Sequence, residues 1–371
     1  MTALSLAALL LIVYTYGGYP VLVALWARIA PKADSGRDDF EPTVSVCMAV
    51  HNGAEHVLGK LRNLQALDYP REKIEILVYS DGSTDATERM ARGFAESDPR
   101  VRVLSNAVRL GKPAALNDLR ATATGEVLLM TDVRQPIAPH ALRALLYSLA
   151  DPAVGCVSGS LVLMGNTGAG VYWRYEKFIR DSEARLGGMV GVSGSLYALR
   201  RSDLEELPLD LLLDDMFVPL RVARSRKRVV LSLDAEAYDE AYDDDREFSR
   251  KVRTLAGNYQ LVAKMPWLLV PGKNPVWFQM VSHKLLRLVC PWALLSLFGS
   301  SFSLAFASEL SGFELAFWRT LALGQLVFYV LAAFGARAGR VASLARTFVV
   351  LNVAALVGLW RFLRGSQAVT W

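Results

Sequence analysis

Four stretches of this 371-residue chain are so long and apolar that they fix much of what can surround them. Residues 4–27 contain no charged side chain, and neither do residues 288–308. Residues 315–336 and 344–363 hold only Arg319, Arg346 and Arg361. A helix of ~20 apolar residues crosses the hydrocarbon core of a bilayer, so one crossing is expected before the middle of the chain and about three after it. The overall hydrophobic share of 53% reflects these ends. The net charge of +5 is modest. Its clusters lie beside the apolar stretches, which suits anionic lipid headgroups, and no nucleic-acid-binding motif is present.

No Lys or Arg precedes the first stretch, whereas Arg28, Lys32 and Arg37 follow it. A cleaved signal peptide carries a basic leader and a small-residue cut site. Lacking both, residues 1–30 are expected to stay as an anchor, with the following domain on the cytoplasmic side of the inner membrane. Trp267, Trp277 and Trp292 suit an interfacial belt, giving an interfacial segment at 265–284 and a membrane region at 285–371. His283, Lys284 and Arg287 mark one cytoplasmic end, and Arg337, Arg340 and Arg346 mark the next. That count leaves the C-terminus outside, while Arg361 and Arg364 argue for the inside, so its side stays open. Cys47, Cys156 and Cys290 form no CxxC pair and read as free thiols.

Residues 31–43 are a polar, Pro- and Gly-containing linker. Beyond them the pattern alternates. Strands are expected at 44–50, 74–80, 101–104 and 126–131, and helices at 55–64, 84–94, 114–123 and 139–149. Such alternation implies βαβ units and a mainly parallel sheet, an α/β fold. Ligands of these sheets sit beyond the C-terminal strand ends, where His51, Asn52, Asp81 and Asp132 would gather. Past residue 150 the alternation weakens. A glycine-rich segment holds Gly187, Gly188, Gly191 and Gly194. The acid pair Asp214 and Asp215 follows, then the basic run 221–228, an acidic stretch at 239–248 expected as a solvated loop, and a helix carrying Arg250 and Arg253.

Six stretches, in order, carry a family resemblance. "VSVCMAVHNG" resembles a first strand and its turn, "VYSDGSTDAT" a nucleotide loop, and "RLGKPAALNDLRATATGEVLLMTD" a helix plus a strand ending in Asp-x-Asp. "GVSGSLYALRR" resembles a glycine loop under an acceptor, "LLLDDMFVPLRV" a catalytic acid pair, and "RKVRT" the Gln-x-x-Arg-Trp of polysaccharide synthases. Together they resemble the membrane-bound family 2 glycosyltransferases. The resemblance implies a GT-A domain at 44–264, Rossmann-like and flanked by transmembrane α-helices. It implies transfer of a sugar, with inversion, from a nucleotide sugar (UDP-linked) to a lipid-linked or polysaccharide acceptor.

On that resemblance Asp215 is the base. Asn52, Asp81, Lys112, Asp132, Arg134, Arg250 and Arg253 belong to the donor side, and Gly194, Ser195 and Asp214 to the acceptor side. Arg250 stands where the family has Gln and Thr254 where it has Trp. Asp132 is the candidate metal ligand for Mg²⁺ or Mn²⁺, but Arg134 occupies the position of the second acid. A guanidinium binds phosphate bidentately, so metal dependence and metal independence are both open. A further alternative turns Arg134 into a salt bridge with Glu183 or Asp181. Two other readings stay open: a processive polysaccharide synthase, and an inactive nucleotide-sugar-binding scaffold of an export complex. Homo-oligomers or export-complex partners would accompany these.

Overall fold

The protein is described here by a computed structural model covering residues 1–32, 35–164, 169–240 and 244–369. Helix α1 (Thr2–Val13) runs through a π-helical turn, Tyr14–Gly18, into α2 (Tyr19–Ile29). The middle follows as β1 (Val44–Val50), α3 (Ala54–Gln65), β2 (Ile74–Asp81), α4 (Thr87–Ala95), β3 (Val101–Asn106), α5 (Lys112–Thr122), β4 (Val127–Thr131) and α6 (Ala141–Leu149). Then come β5 (Val154–Met164), α7 (Ala169–Arg185), β6 (Leu196–Arg200), α8 (Asp214–Arg224), β7 (Arg228–Glu240) and α9 (Asp244–Lys264). The stretch 239–248, expected as a solvated loop, is largely not one: Asp239 and Glu240 finish a strand, 244–248 open a helix, and 241–243 lie outside the described residues.

The seven strands form one mixed α/β sheet in the order β3-β2-β1-β4-β6-β5-β7. Strands β1 to β4 are parallel, whereas β6 pairs antiparallel with both β4 and β5. Because β6 runs the other way, its first residues sit beside the end of β4, with Thr131 opposite Leu196. Strands β1, β2, β4 and β6 are buried on both faces, as near-continuous apolar runs demand. Cys47, Leu77, Leu128, Met130 and Tyr197 face one core with α5 and α8, and Val46, Ile76, Leu129 and Ala198 face another with α3 and α6.

The chain ends in α10 (Trp277–Gln279), a π-helical turn (Met280–Leu285), α11 (Leu286–Ala305), α12 (Gly312–Phe334) and α13 (Arg340–Leu363). Among the described residues, four helices are long and apolar enough to span a membrane: Thr2–Ile29, Trp277–Ala305, Gly312–Ala338 and Arg340–Leu363. The second begins inside the stretch expected to be interfacial, because the π-helical turn carries the helix on without a break.

Two contacts join these helices to the sheet domain. On α7, Glu176 and Glu183 are removed from water, 8% and 1% exposed, together with a fully buried His283. His283 reaches Glu183 at 2.8 Å and Glu176 at 3.2 Å, Tyr19 donates to Glu183 at 2.5 Å, and Arg287 pairs with Glu176. Buried carboxylates need such partners, since an unpaired ion costs several kcal/mol there (about 3–5 when one partner is removed). The second contact is α13 on α9. A Cβ at Gly358 would lie 2.9 Å from the Ala256 nitrogen, and one at Gly257 would lie 2.4 Å from Leu213 Cγ. Helix α9 is thereby clamped between α13 and the chain entering α8. Gly358→Leu is expected to unseat α13 and destabilise the protein by about 1–3 kcal/mol, read as a lowered thermal midpoint of the full chain in detergent.

Candidate active site

The loops after β1 and β2 are stitched together at the rim. Asn52, exposed and at a left-handed φ of 50°, accepts from the Thr84 nitrogen at 2.8 Å and donates through its own nitrogen to Ser83 at 3.1 Å. Asp85 caps the start of α4, accepting from the Thr87 nitrogen at 2.9 Å. Asp81 at the end of β2 is completely buried. Its two oxygens accept from the backbone nitrogens of Leu110 and Gly111 at 2.7 and 2.8 Å. The Asp81 carboxylate, expected on the donor side, thus holds the loop before α5.

That loop delivers Lys112. Its ammonium lies 3.1 Å from Asp132 Oδ1 and 3.2 Å from Asp214 Oδ2. Lys112, expected on the donor side, sits between two acids with its side chain 16% exposed. Those carboxylates, led by Asp132, hold its pKa well above the usual lysine value despite the desolvation that pulls it down. Asp214 is 7% exposed and Asp215 is half-buried. Burial, then the neighbouring Asp214, pushes the Asp215 carboxyl up to about 6, while Lys112, Arg180 and Arg253 pull it back. Gly194 keeps this space open, since a Cβ there would lie 3.9 Å from both Asp132 Oδ2 and Asp215 Oδ2. Ser195 accepts from the Thr131 hydroxyl at 2.9 Å through its carbonyl, which ties the start of β6 to the end of β4. The result is a cleft of about 190 Å³ lined by Lys112, Asp132, Gly194, Tyr197 and Asp214.

The arginines divide. Arg134 does not turn into this cleft: its guanidinium meets Asp239 Oδ2 of β7 at 2.5 Å, and Gln135 reaches the same oxygen at 2.9 Å. Neither Glu183 nor Asp181 is that partner; Asp181 pairs with Arg185, and Glu183 belongs to the His283 cluster. The acid-to-arginine exchange at 134 thus fastens the loop after β4 to an edge strand. Arg253 donates to the carbonyls of Leu212 and Val369, each at 3.3 Å, close enough to Asp215 to influence its charge. Arg250 lies exposed one turn earlier on α9.

Three neighbours escape the motif reading. Lys60, 3% exposed, donates to Thr131 at 2.8 Å and to the Gln135 carbonyl at 2.5 Å, and burial lowers its pKa to about 7. The Tyr197 hydroxyl is buried at the cleft without a hydrogen-bond partner. Its place could be found from strand periodicity, since it shares a face with Ser195. The tail after α13 also returns to the rim, with Val369 packed beside Gly111 and Arg253.

Among the described residues no three His, Cys, Asp or Glu side chains form a ready-made metal cage. Asp132 is 38% exposed at its side chain, and only its Oδ1 is engaged by Lys112. A single open carboxylate fits Mg²⁺ or Mn²⁺ in the manner of sites where substrate phosphates complete the coordination.

The Glycosyl transferase family 2 profile matches residues 45–207. A β-monoglucosyldiacylglycerol synthase of Synechocystis sp. is 24% identical over 47% of this chain and 39% of its own. An N-acetylglucosaminyltransferase of Rhizobium sp. is 25% identical over 63% and 54%. The chain thus spans about half or less of the length of these curated relatives. The solved mannosyltransferase PcManGT of Pyrobaculum calidifontis, in complex with GDP-Man and Mn²⁺, superposes with a TM-score of 0.77. It is 25% identical and covers 97% of this chain and 99% of its own. The sheet, the order of the motifs and these likenesses agree: the chain carries a family 2 glycosyltransferase domain of GT-A fold, joined to membrane-length helices.

Proposed function

We propose that the protein transfers a hexose, with inversion, from a nucleoside-diphosphate sugar to a lipid-linked or glycan acceptor at the cytoplasmic face of the membrane. The observation that carries this reading is the grouping of Asp132, Asp214 and Asp215 around one largely shielded ammonium, at the strand ends where α/β sheets take ligands. The donor can be UDP-linked, as the motifs suggest, or GDP-linked like the ligand of the mannosyltransferase above.

Asp215 is the general base. With a pKa of about 6 it is ionised at neutral pH yet holds a proton far better than an ordinary aspartate. It takes the proton of an acceptor hydroxyl, whose oxygen attacks the anomeric carbon from the face opposite the diphosphate. The bond from that carbon to the β-phosphate oxygen breaks, and the diphosphate leaves with the electron pair. Arg253 stands at the mouth as a fixed cation for the leaving charge. Lys112 holds Asp132 and Asp214 in place through its two ion pairs. A divalent cation shared by Asp132 and the donor phosphates would supply positive charge to the diphosphate. With Arg134 committed to Asp239, a guanidinium at position 134 is unsupported as its substitute.

Screening UDP- and GDP-sugars for release of nucleoside diphosphate tests the proposal. Asp215→Asn is expected to lower turnover by about 10²–10⁴-fold, the usual worth of a positioned base; turnover close to wild type would overturn its role. Since the base acts ionised, the rate should fall as pH drops through about 6. Lys112→Met removes a charge that lowers that pKa, so the acidic limb of the profile should move to higher pH. Chelation with EDTA should depress turnover, and Mn²⁺ or Mg²⁺ should restore it; full activity in EDTA would return the diphosphate to protein cations alone.

A further inference from the structure

A second, shallow cleft lies between α7 and the strands β5 and β7, a depression of about 250 Å³ open in part to solvent. Its walls are Gly159, Ser160 and Leu161 of β5, Leu231 of β7, and Trp173, Lys177 and Arg180 of α7. The helix residues are spaced four and three apart and so form one stripe. The neighbouring stripe of α7, Glu176, Ile179 and Glu183, is sealed against the bases of the membrane helices. The cleft therefore lies one helix width from those bases.

Its chemistry is that of an anion site. Lys177 makes no ion pair among the described residues, and neither does Arg180, whose guanidinium reaches only the Gly191 carbonyl, at 3.4 Å. Opposite them the Ser160 hydroxyl is buried, 4% exposed, with no hydrogen-bond partner. A buried hydroxyl is rarely left unmatched. Two cations and an orphan hydroxyl over one cavity suit the oxygens of a phosphate. The Trp173 ring, whose nitrogen is taken up by the Leu161 carbonyl at 3.2 Å, leaves an apolar wall beside them.

We propose that this cleft binds the phosphate of an anionic phospholipid or lipid-linked phosphate. Ser160, Lys177 and Arg180 hold the phosphate, with Trp173 along the adjoining apolar part. Resting on the transferase reading, the cleft is the subsite that holds a phosphate-bearing acceptor while its hydroxyl lies at Asp215. Arg180 joins the two places: it lines the cleft and sits within charge range of the Asp215 carboxylate.

The test reads binding and does not depend on turnover. Full-length protein in detergent is titrated with phosphatidylglycerol, with zwitterionic phosphatidylcholine, and with inorganic phosphate, and retained ligand is read by native mass spectrometry. Phosphatidylglycerol is expected to bind in preference to phosphatidylcholine. Lys177→Ala and Arg180→Ala should each weaken it about tenfold, Ser160→Ala by less, and Lys177→Arg should restore it. Displacement of the lipid by inorganic phosphate would assign recognition to the phosphate itself; lipid retention that resists phosphate but fails in the alanine variants would assign it to the whole headgroup at the membrane. Equal retention by wild type and every variant overturns the proposal, because the lipid would then occupy only the general belt around the helices. Failure of the nucleotide-sugar screen would sink the transferase reading and leave this result standing.

Discussion

One ammonium group makes the rest of the site affordable in charge. Asp132 ends a buried strand, Asp214 and Asp215 open a helix, and all three face the same small volume. Like charges at that spacing repel, and burial adds to the repulsion. At an effective dielectric of 20, a charge contact near 4 Å carries ~4 kcal/mol. Lys112 makes two such contacts, with Asp132 and Asp214. Burial, and then the neighbouring Asp214, raises the proton affinity of Asp215 toward neutrality, and Lys112 pulls it part of the way back. Fixing Lys112 requires the turn before it to be rigid, and Asp81 supplies that rigidity from beneath through two backbone nitrogens.

The first half of the fold was legible because β1, β2 and β4 are buried on both faces and read as nearly uninterrupted apolar runs. The second half was not. β5 is broken by Gly155, Ser158, Gly159 and Ser160, and β7, at the sheet edge, alternates with acids along its outer half. Edge strands must carry such residues, so their charge hides them. The motifs located Asp132, Asp214 and Asp215 near one another but missed what Lys112 and Asp81 do. Those tasks depend on which groups approach across the rim. Arg134 shows the limit most clearly: its partner Asp239 lies 105 residues away, on an edge strand that the sequence presented as part of a solvated loop. Lys60 is similar, a charged residue on an otherwise ordinary amphipathic helix, buried because the end of β4 needs a donor.

The membrane helices do more than tether the domain. α13 presses on α9 through Gly358, and α9 presses on Leu213, the residue just before the acid pair. Arg253 rides on that same α9. On the other side, α7 has one face turned to the helix bases and another to the sheet, so two separate contacts run from the apolar helices to the neighbourhood of Asp215.

The cluster of Glu176, Glu183, His283, Arg287 and Tyr19 has a geometric effect of its own. Buried ion pairs do not slide, because each intermediate position strands a desolvated charge. The sheet domain is held at a single distance and tilt from the bases of the apolar helices, like a plotter arm locked on its carriage. For the lipid-linked acceptor proposed above, reach would then become a property of the substrate: only a molecule whose reactive group projects the right distance from its anchor would arrive at the rim, and the fold would act as a ruler.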